Sequence, residues 1–220
     1  DLDLTAGSFA AGPIASASDA HASLRLDAEG LRVSDLTGEF AGGQVAGLVE
    51  LKNNAGSGLF TAQLRLTDAD VSQVVPGIDI NGRGDFSTAL SASGKTIEGI
   101  IAALSGSGKA ALRGVVIPGI NPDAFAAFVA EADKIGRDID AAKTATFAPA
   151  LAGQGAYAAG NVDVAFTVAG GVLRAPPISV DNGVAKLSAE VRGDMKPIRS
   201  ALPGLAVCEY LPPTAGSWTA

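Results

Sequence analysis

The residues that could do chemistry in this chain begin with Gly and Lys, which meet twice in "SASGKTIEGIIAALSGSGK" (91–109). A Gly-Lys-Thr turn can end a phosphate-binding loop. The full loop needs G-x-x-x-x-G-K-[ST], because consecutive backbone N–H groups must wrap the phosphates. For Gly94-Lys95-Thr96 the first glycine of that pattern falls on Ala89. For Gly108-Lys109 it falls on Ala103, and Ala110 stands where the hydroxyl belongs. Neither stretch is expected to bind a nucleotide. "DINGRGDF" (79–86) imitates a calcium loop through Asp79, Asn81 and Gly84, but Arg83 takes a ligand position and Leu90 replaces the bidentate Glu. The same stretch holds an Arg83-Gly84-Asp85 tripeptide, which reads as a turn. His21 is the single histidine and Cys208 the single cysteine, with no partner for nucleophilic catalysis nearby in sequence. Asp68/Asp70 and Asp138/Asp140 are spaced i, i+2, which on a helix points them apart. The expectation is a protein with no catalytic residues, no metal and no cofactor, working through shape and surface.

Those residues must be positioned by strands. Over 22–66 short alternating runs are broken by Gly or Asn: Leu24, Leu26 and Ala28 share a face, and Phe60, Ala62, Leu64 and Leu66 alternate with Thr61, Gln63 and Arg65. Turns at Glu29-Gly30, Gly42-Gly43 and 53–58 separate them. Period-two alternation with turns about every ten residues predicts an antiparallel meander. A further strand places Phe86, Thr88 and Leu90 on one side. The layout recurs about 140 residues on, over 161–195: Gly30 matches Gly170, Gly43 matches Gly183, Leu24 matches Val164, Leu26 matches Phe166, and Phe40 matches Val180.

Between the meanders, 96–143 reads as a helical insertion. Residues 70–77 allow one turn. Thr96 caps a helix whose apolar stripe is Ile97, Ile100, Ile101 and Leu104. A long amphipathic helix is predicted over about 121–142, capped by Asn121, with Pro122 at its first position and Phe125, Phe128, Val129, Ala132, Ile135 and Ile139 on one stripe.

Composition narrows the partners. The net charge of −7 argues against nucleic acid, since binding to phosphates needs an excess of Lys and Arg. It argues equally against adhesion to anionic membrane surface. No apolar run reaches the roughly 18 residues of a membrane span. The chain begins without Met, inside a strand pattern, and reads as part of something longer whose anchor or export signal lies outside it.

With these elements in place, "GRGDFSTALSASGKTIEGIIAALSGSGKAALRGVVIPGINPDAFAAFV" resembles the C-terminal region of the AsmA family. The matching positions are Gly82, Gly84, Phe86, Leu90 and Gly94, then Leu104 to Gly108, Leu112, Gly114, Ile117 and Gly119-Ile120-Asn121. The likeness extends over the flanking strands to nearly all of 1–220, read as one region. Arg113 departs from it, where an acidic residue or Asn is usual before Gly. The resemblance implies a large Gram-negative envelope protein anchored in the inner membrane and extending through the periplasm, similar to TamB and to bridge-like lipid-transfer proteins. It implies an elongated, curved antiparallel sheet forming an apolar groove, and a non-enzymatic role in phospholipid transport and outer-membrane biogenesis, with envelope proteins as possible partners. The residues expected to face lipid are Leu24, Leu26, Phe60, Leu64, Leu66, Phe86, Leu90, Val164, Phe166 and Val168. The long helix, through Phe125, Phe128, Val129, Ile135 and Ile139, is expected to cap the groove. The alternative is a β-rich envelope scaffold with a closed core and no lipid track.

Overall fold

A computed structural model describes residues 2–11, 15–75, 78–194 and 208–210. The chain runs β1 (Leu2–Ala11), β2 (Ala15–Leu26), β3 (Gly30–Phe40), β4 (Gly43–Asn54), β5 (Ser57–Asp70), α1 (Val71–Val74), β6 (Asn81–Gly94), α2 (Ile97–Ala102), β7 (Ser105–Pro118), α3 (Ala124–Ile135), α4 (Ala141–Gly153) and β8 (Ala156–Ala169). It ends in β9 (Val172–Arg174), β10 (Ile178–Asp181), β11 (Lys186–Ala189), β12 (Arg192–Asp194) and β13 (Cys208–Tyr210). The first nine strands join in sequence order into one antiparallel sheet completed at its far edge by β12, ten strands in all. A second sheet holds β10, β11 and β13. The protein is mainly β, and the strand β7 runs through the interval expected to be helical.

Cross-strand partners place their side chains on the same face, so the pairing builds rows of apolar residues across the sheet. One row is Leu2, Leu24, Val33, Val49, Ala62, Leu90, Gly106, Val168 and Leu173. The next is Leu26, Leu31, Leu51, Phe60 and Ala92. The opposite face carries Thr61, Gln63, Arg65, Ser87, Ser107 and Lys109.

Period-two alternation would fail if every strand were regular, because the apolar phase slips within several of them. Bulges absorb the slip by adding one residue to one strand and increasing local twist. Three of them fall on Asp19, Asp35 and Asp68, with φ of 47°, 53° and 53°. Aspartate is among the few side chains that enter this left-handed region readily.

The two stretches related by the 140-residue recurrence share hairpins but not their register. Leu26 pairs with Leu31, whereas Val168, not Phe166, pairs with Leu173, and the second stretch is divided between two sheets. The β2–β3 hairpin corresponds to the β8–β9 hairpin, and the turns before Gly43 and at Gly183 both join paired strands. The copies differ where β3 continues through its bulge. In the second copy Pro176 and Pro177 stand there, cannot donate to a ladder, and separate β9 from β10. The chain leaves the main sheet at that point and starts the second one.

The short helices form as expected. Thr96 caps α2, its hydroxyl accepting from the Gly99 N–H at 3.0 Å. Asp70 caps α1 by accepting from the Ser72 N–H at 2.9 Å. The long helix does not form. Its run ends at Ile135 and passes through a 3-10 turn at Gly136–Asp138, and Gly136 itself has φ of +70°. Asp140 then caps a separate helix, α4, by accepting from the Lys143 N–H at 2.8 Å. Asn121 lies outside the helix and accepts from the Asp123 N–H at 3.0 Å. The two helices make a hairpin between β7 and β8, with Phe128 and Phe147 tilted against each other at 6.5 Å. This hairpin packs chiefly on itself and not on the sheet.

Candidate functional site

The apolar face of the main sheet is covered at its two ends and open between and beyond. At one end Val74 of α1 lies on Leu66, Ala69 and Ala41, beside Phe40, Val45 and Phe86. At the other, Ile100 of α2 lies on Ala92, Leu104 and Val168, beside Phe60, Leu90 and Phe166. Between the two covers a hollow of about 220 Å³ is lined by Phe40, Val45, Leu64, Leu66, Phe86 and Phe166. Toward the β1 edge the face carries no cover among the described residues: Leu2, Leu4 and Leu26 are 55%, 44% and 73% exposed.

All ten residues expected to face lipid lie on this one face. Leu66 and Val168 are buried beneath α1 and α2, Leu26 is exposed, and the other seven are half-buried. The five helix residues do not join them. Phe128 and Ile135 are half-buried, whereas Phe125 and Val129 are exposed, and Ile139 lies beyond the break at Gly136. Glycine there, not a change of apolar period, is what ends the stripe.

A concavity of about 670 Å³ lies on the opposite face, lined by Ala46, Leu48, Gln63, Arg65, Ser87, Ala89, Ser107 and Lys109 among others. Side-chain size explains this reversal of the expected groove. Leucine and phenylalanine fill their own face, while alanine and serine leave the polar face hollow.

A third feature was hidden in "DINGRGDF". Arg83 donates to both carboxylate oxygens of Asp68, at 3.2 and 2.7 Å, to the Asp68 backbone carbonyl, and to the Gly42 carbonyl at 3.2 Å. Arg113 reaches Asp85 at 2.6 Å and Asp68 at 3.0 Å, and the Asp68 N–H donates to Asp85 at 2.7 Å. The tripeptide Arg83-Gly84-Asp85 is therefore part of a strand, and its charges hold the Asp68 bulge. No group of three or more His, Cys, Asp or Glu side chains able to hold a metal gathers among the described residues. Thr96, at the end of the near-miss phosphate loop, is a helix cap. The Cys208 side chain lies outside the described residues.

The network makes a pH prediction. The Arg83 guanidinium holds the Asp68 carboxyl below its usual value, with Arg113 adding to it, and Arg113 followed by the Asp68 N–H does the same for Asp85. A carboxylate depressed in the folded state stabilises above its unfolded pKa of about 3.9, and that stability is lost as pH falls through the lower folded value. The melting temperature should therefore fall on acidification below about pH 5, and Arg113→Gln should flatten that fall. Identical pH profiles for the two proteins would refute the assignment.

Elsewhere, Tyr157 is fully buried and joins the two sheets. Its hydroxyl lies 2.8 Å from the Ala185 carbonyl and 2.9 Å from that of Val180. Burial pushes the phenol pKa up. Ala185 and Leu187 pack around it with Ile117 and Ile120. Among the described residues no helix is long and apolar enough to cross a membrane. Comparison with protein-family models, with curated proteins and with solved structures gives no match.

Proposed function

We propose that this chain is a non-enzymatic, AsmA-like envelope module whose open apolar sheet face shields the acyl chains of phospholipid in the periplasm. In this reading it belongs to an inner-membrane-anchored protein serving outer-membrane biogenesis. The single observation that carries the reading is the continuity of the apolar rows from β1 to β9 with most of their side chains only half-buried. Strands spaced about 4.8 Å apart make a face of ten strands about 45 Å wide. One leaflet of a bilayer is about 15 Å of hydrocarbon, so such a face accommodates an acyl chain laid across several strands. Each CH₂ kept from water contributes about 0.8 kcal/mol, which gives an apolar track of this length a reason to exist. The order of the family-like segments from Gly82 to Asn121 supports the same reading. The helical hairpin has no part in it as a cover.

The test is binding of a fluorescent fatty acid, together with mass spectrometry of lipid that co-purifies. Leu64→Glu combined with Leu90→Glu places carboxylates at half-buried positions of the face, where burial against a chain disfavours the charge. Affinity should fall by about tenfold or more while the protein stays folded. A folded wild-type protein that binds no acyl chain, or unchanged binding in the variant, would refute the reading in favour of a closed-core scaffold.

A further inference from the structure

The second site we infer lies on the polar face, in the 670 Å³ concavity. Cations within the long strands β2 to β8 are otherwise matched. Arg25 meets Asp27, Arg32 and Lys52 meet Glu50, Arg83 meets Asp68, and Arg113 meets Asp85. Arg65 and Lys109 have no such partner among the described residues, although both line the concavity. Pairing places Arg65 opposite Ser87 and Ser87 opposite Lys109, so the three stand in one row across β5, β6 and β7. The two cations are about 10 Å apart at the backbone, near enough for both long side chains to converge above Ser87. Gln63 and Ser107 add donors one row away. Asp85 and Asp163 stand in the next row on the other side, opposite Ala111, and Asp85 is already engaged by Arg113.

We propose that this concavity binds the phosphate group of a phosphate ester. A phosphate offers several acceptor oxygens at once to a guanidinium fork, an ammonium and hydroxyl donors, and charge-assisted bonds of this kind are the strong ones. In a chain of net charge −7, two unmatched cations over a hollow floor of Ala46 and Ala89 select an anion small enough to enter. The acyl-chain face is on the other side of the sheet, so side chains of one site do not enter the other, although the same strands carry both. The phosphate can come from a soluble ester or from a lipid headgroup presented by a membrane.

The experiment uses the whole chain, first with inorganic phosphate and glycerol 3-phosphate followed by amide chemical shifts, then with phosphatidylglycerol vesicles by co-sedimentation. Expected is saturable binding that shifts the amides of Arg65, Ser87 and Lys109. Arg65→Gln and Lys109→Gln should each weaken it about tenfold, and the double variant should abolish it. Both residues are exposed, so the variants should melt as the wild type does. Asp163→Asn should tighten binding, and Leu90→Glu, at a position of the apolar face that does not line the concavity, should leave it unchanged, which separates this site from the acyl-chain face. Binding of the soluble esters alone assigns a soluble ligand. Vesicle binding lost in the double variant assigns a headgroup. Shifts no larger than those from chloride at equal ionic strength, or binding that survives in the double variant, would overturn the proposal.

Discussion

Tyr157→Ala should lower stability by about 3–5 kcal/mol, the usual cost of emptying a fully buried aromatic site. For a chain of this size that is a fall of about 10 °C in melting temperature. The loss should begin locally. Tyr157 belongs to β8 of the main sheet, but its hydroxyl meets carbonyls of the second sheet and its ring supports Ala185 and Leu187. Hydrogen exchange should therefore accelerate first across β10 and β11, while β4 to β7 keep their protection. Tyr157→Phe retains the ring and removes one donor, so it should cost only about 1 kcal/mol. Equal loss of protection in both sheets at every temperature would show that Tyr157 is ordinary core and not the tie between them.

Alternation made the strands legible. Phe60, Ala62, Leu64 and Leu66 declare their face within seven residues, and the pairing puts them there. Thr96 declared its helix through capping chemistry, whereas the cap that Asp70 gives α1 was not read from the sequence. The bulges were not legible, because Asp19, Asp35 and Asp68 look like polar residues in phase until the partner strand fixes the register. The division of α3 from α4 was written in Gly136 and Asp140, but the stripe from Phe125 to Ile139 keeps helical spacing across the break and masked it. The helix over 141–153, with Pro149 inside it, was not among the elements expected. Composition reports that alanine, serine and glycine are abundant, and only the register shows which face they occupy. For the same reason Arg65 and Lys109 could be assigned to the polar side one at a time, yet their meeting across Ser87 required two strand pairings.

Gly108→Val should both weaken the fold and close the apolar hollow. Gly108 sits in β7 opposite Thr88 on one side and Phe166 on the other. A Cβ at this position would fall 2.2 Å from Cζ of Phe166 and 2.5 Å from the Ser87 carbonyl oxygen. The ring lies over the glycine because the glycine leaves room for it, and Phe166 lines the hollow between α1 and α2 from that place. The backbone obstacle cannot rotate away, so relief requires β6 and β7 to part or β7 to twist. Overpacking of this kind costs about 1–3 kcal/mol, or a fall in melting temperature of several degrees. The displaced ring has only the face itself to move into, where Leu64 and Phe86 already border the hollow. Acyl-chain binding should fall further than the stability loss alone would produce, and phosphate binding should weaken with it, because β6 and β7 also carry Ser87 and Lys109, which must stay in row with Arg65 of β5. Gly108→Ala, with the smallest Cβ, should show the same pattern at reduced size. A Gly108→Val protein that keeps wild-type stability and full acyl-chain binding would mean that Phe166 does not shape the apolar face.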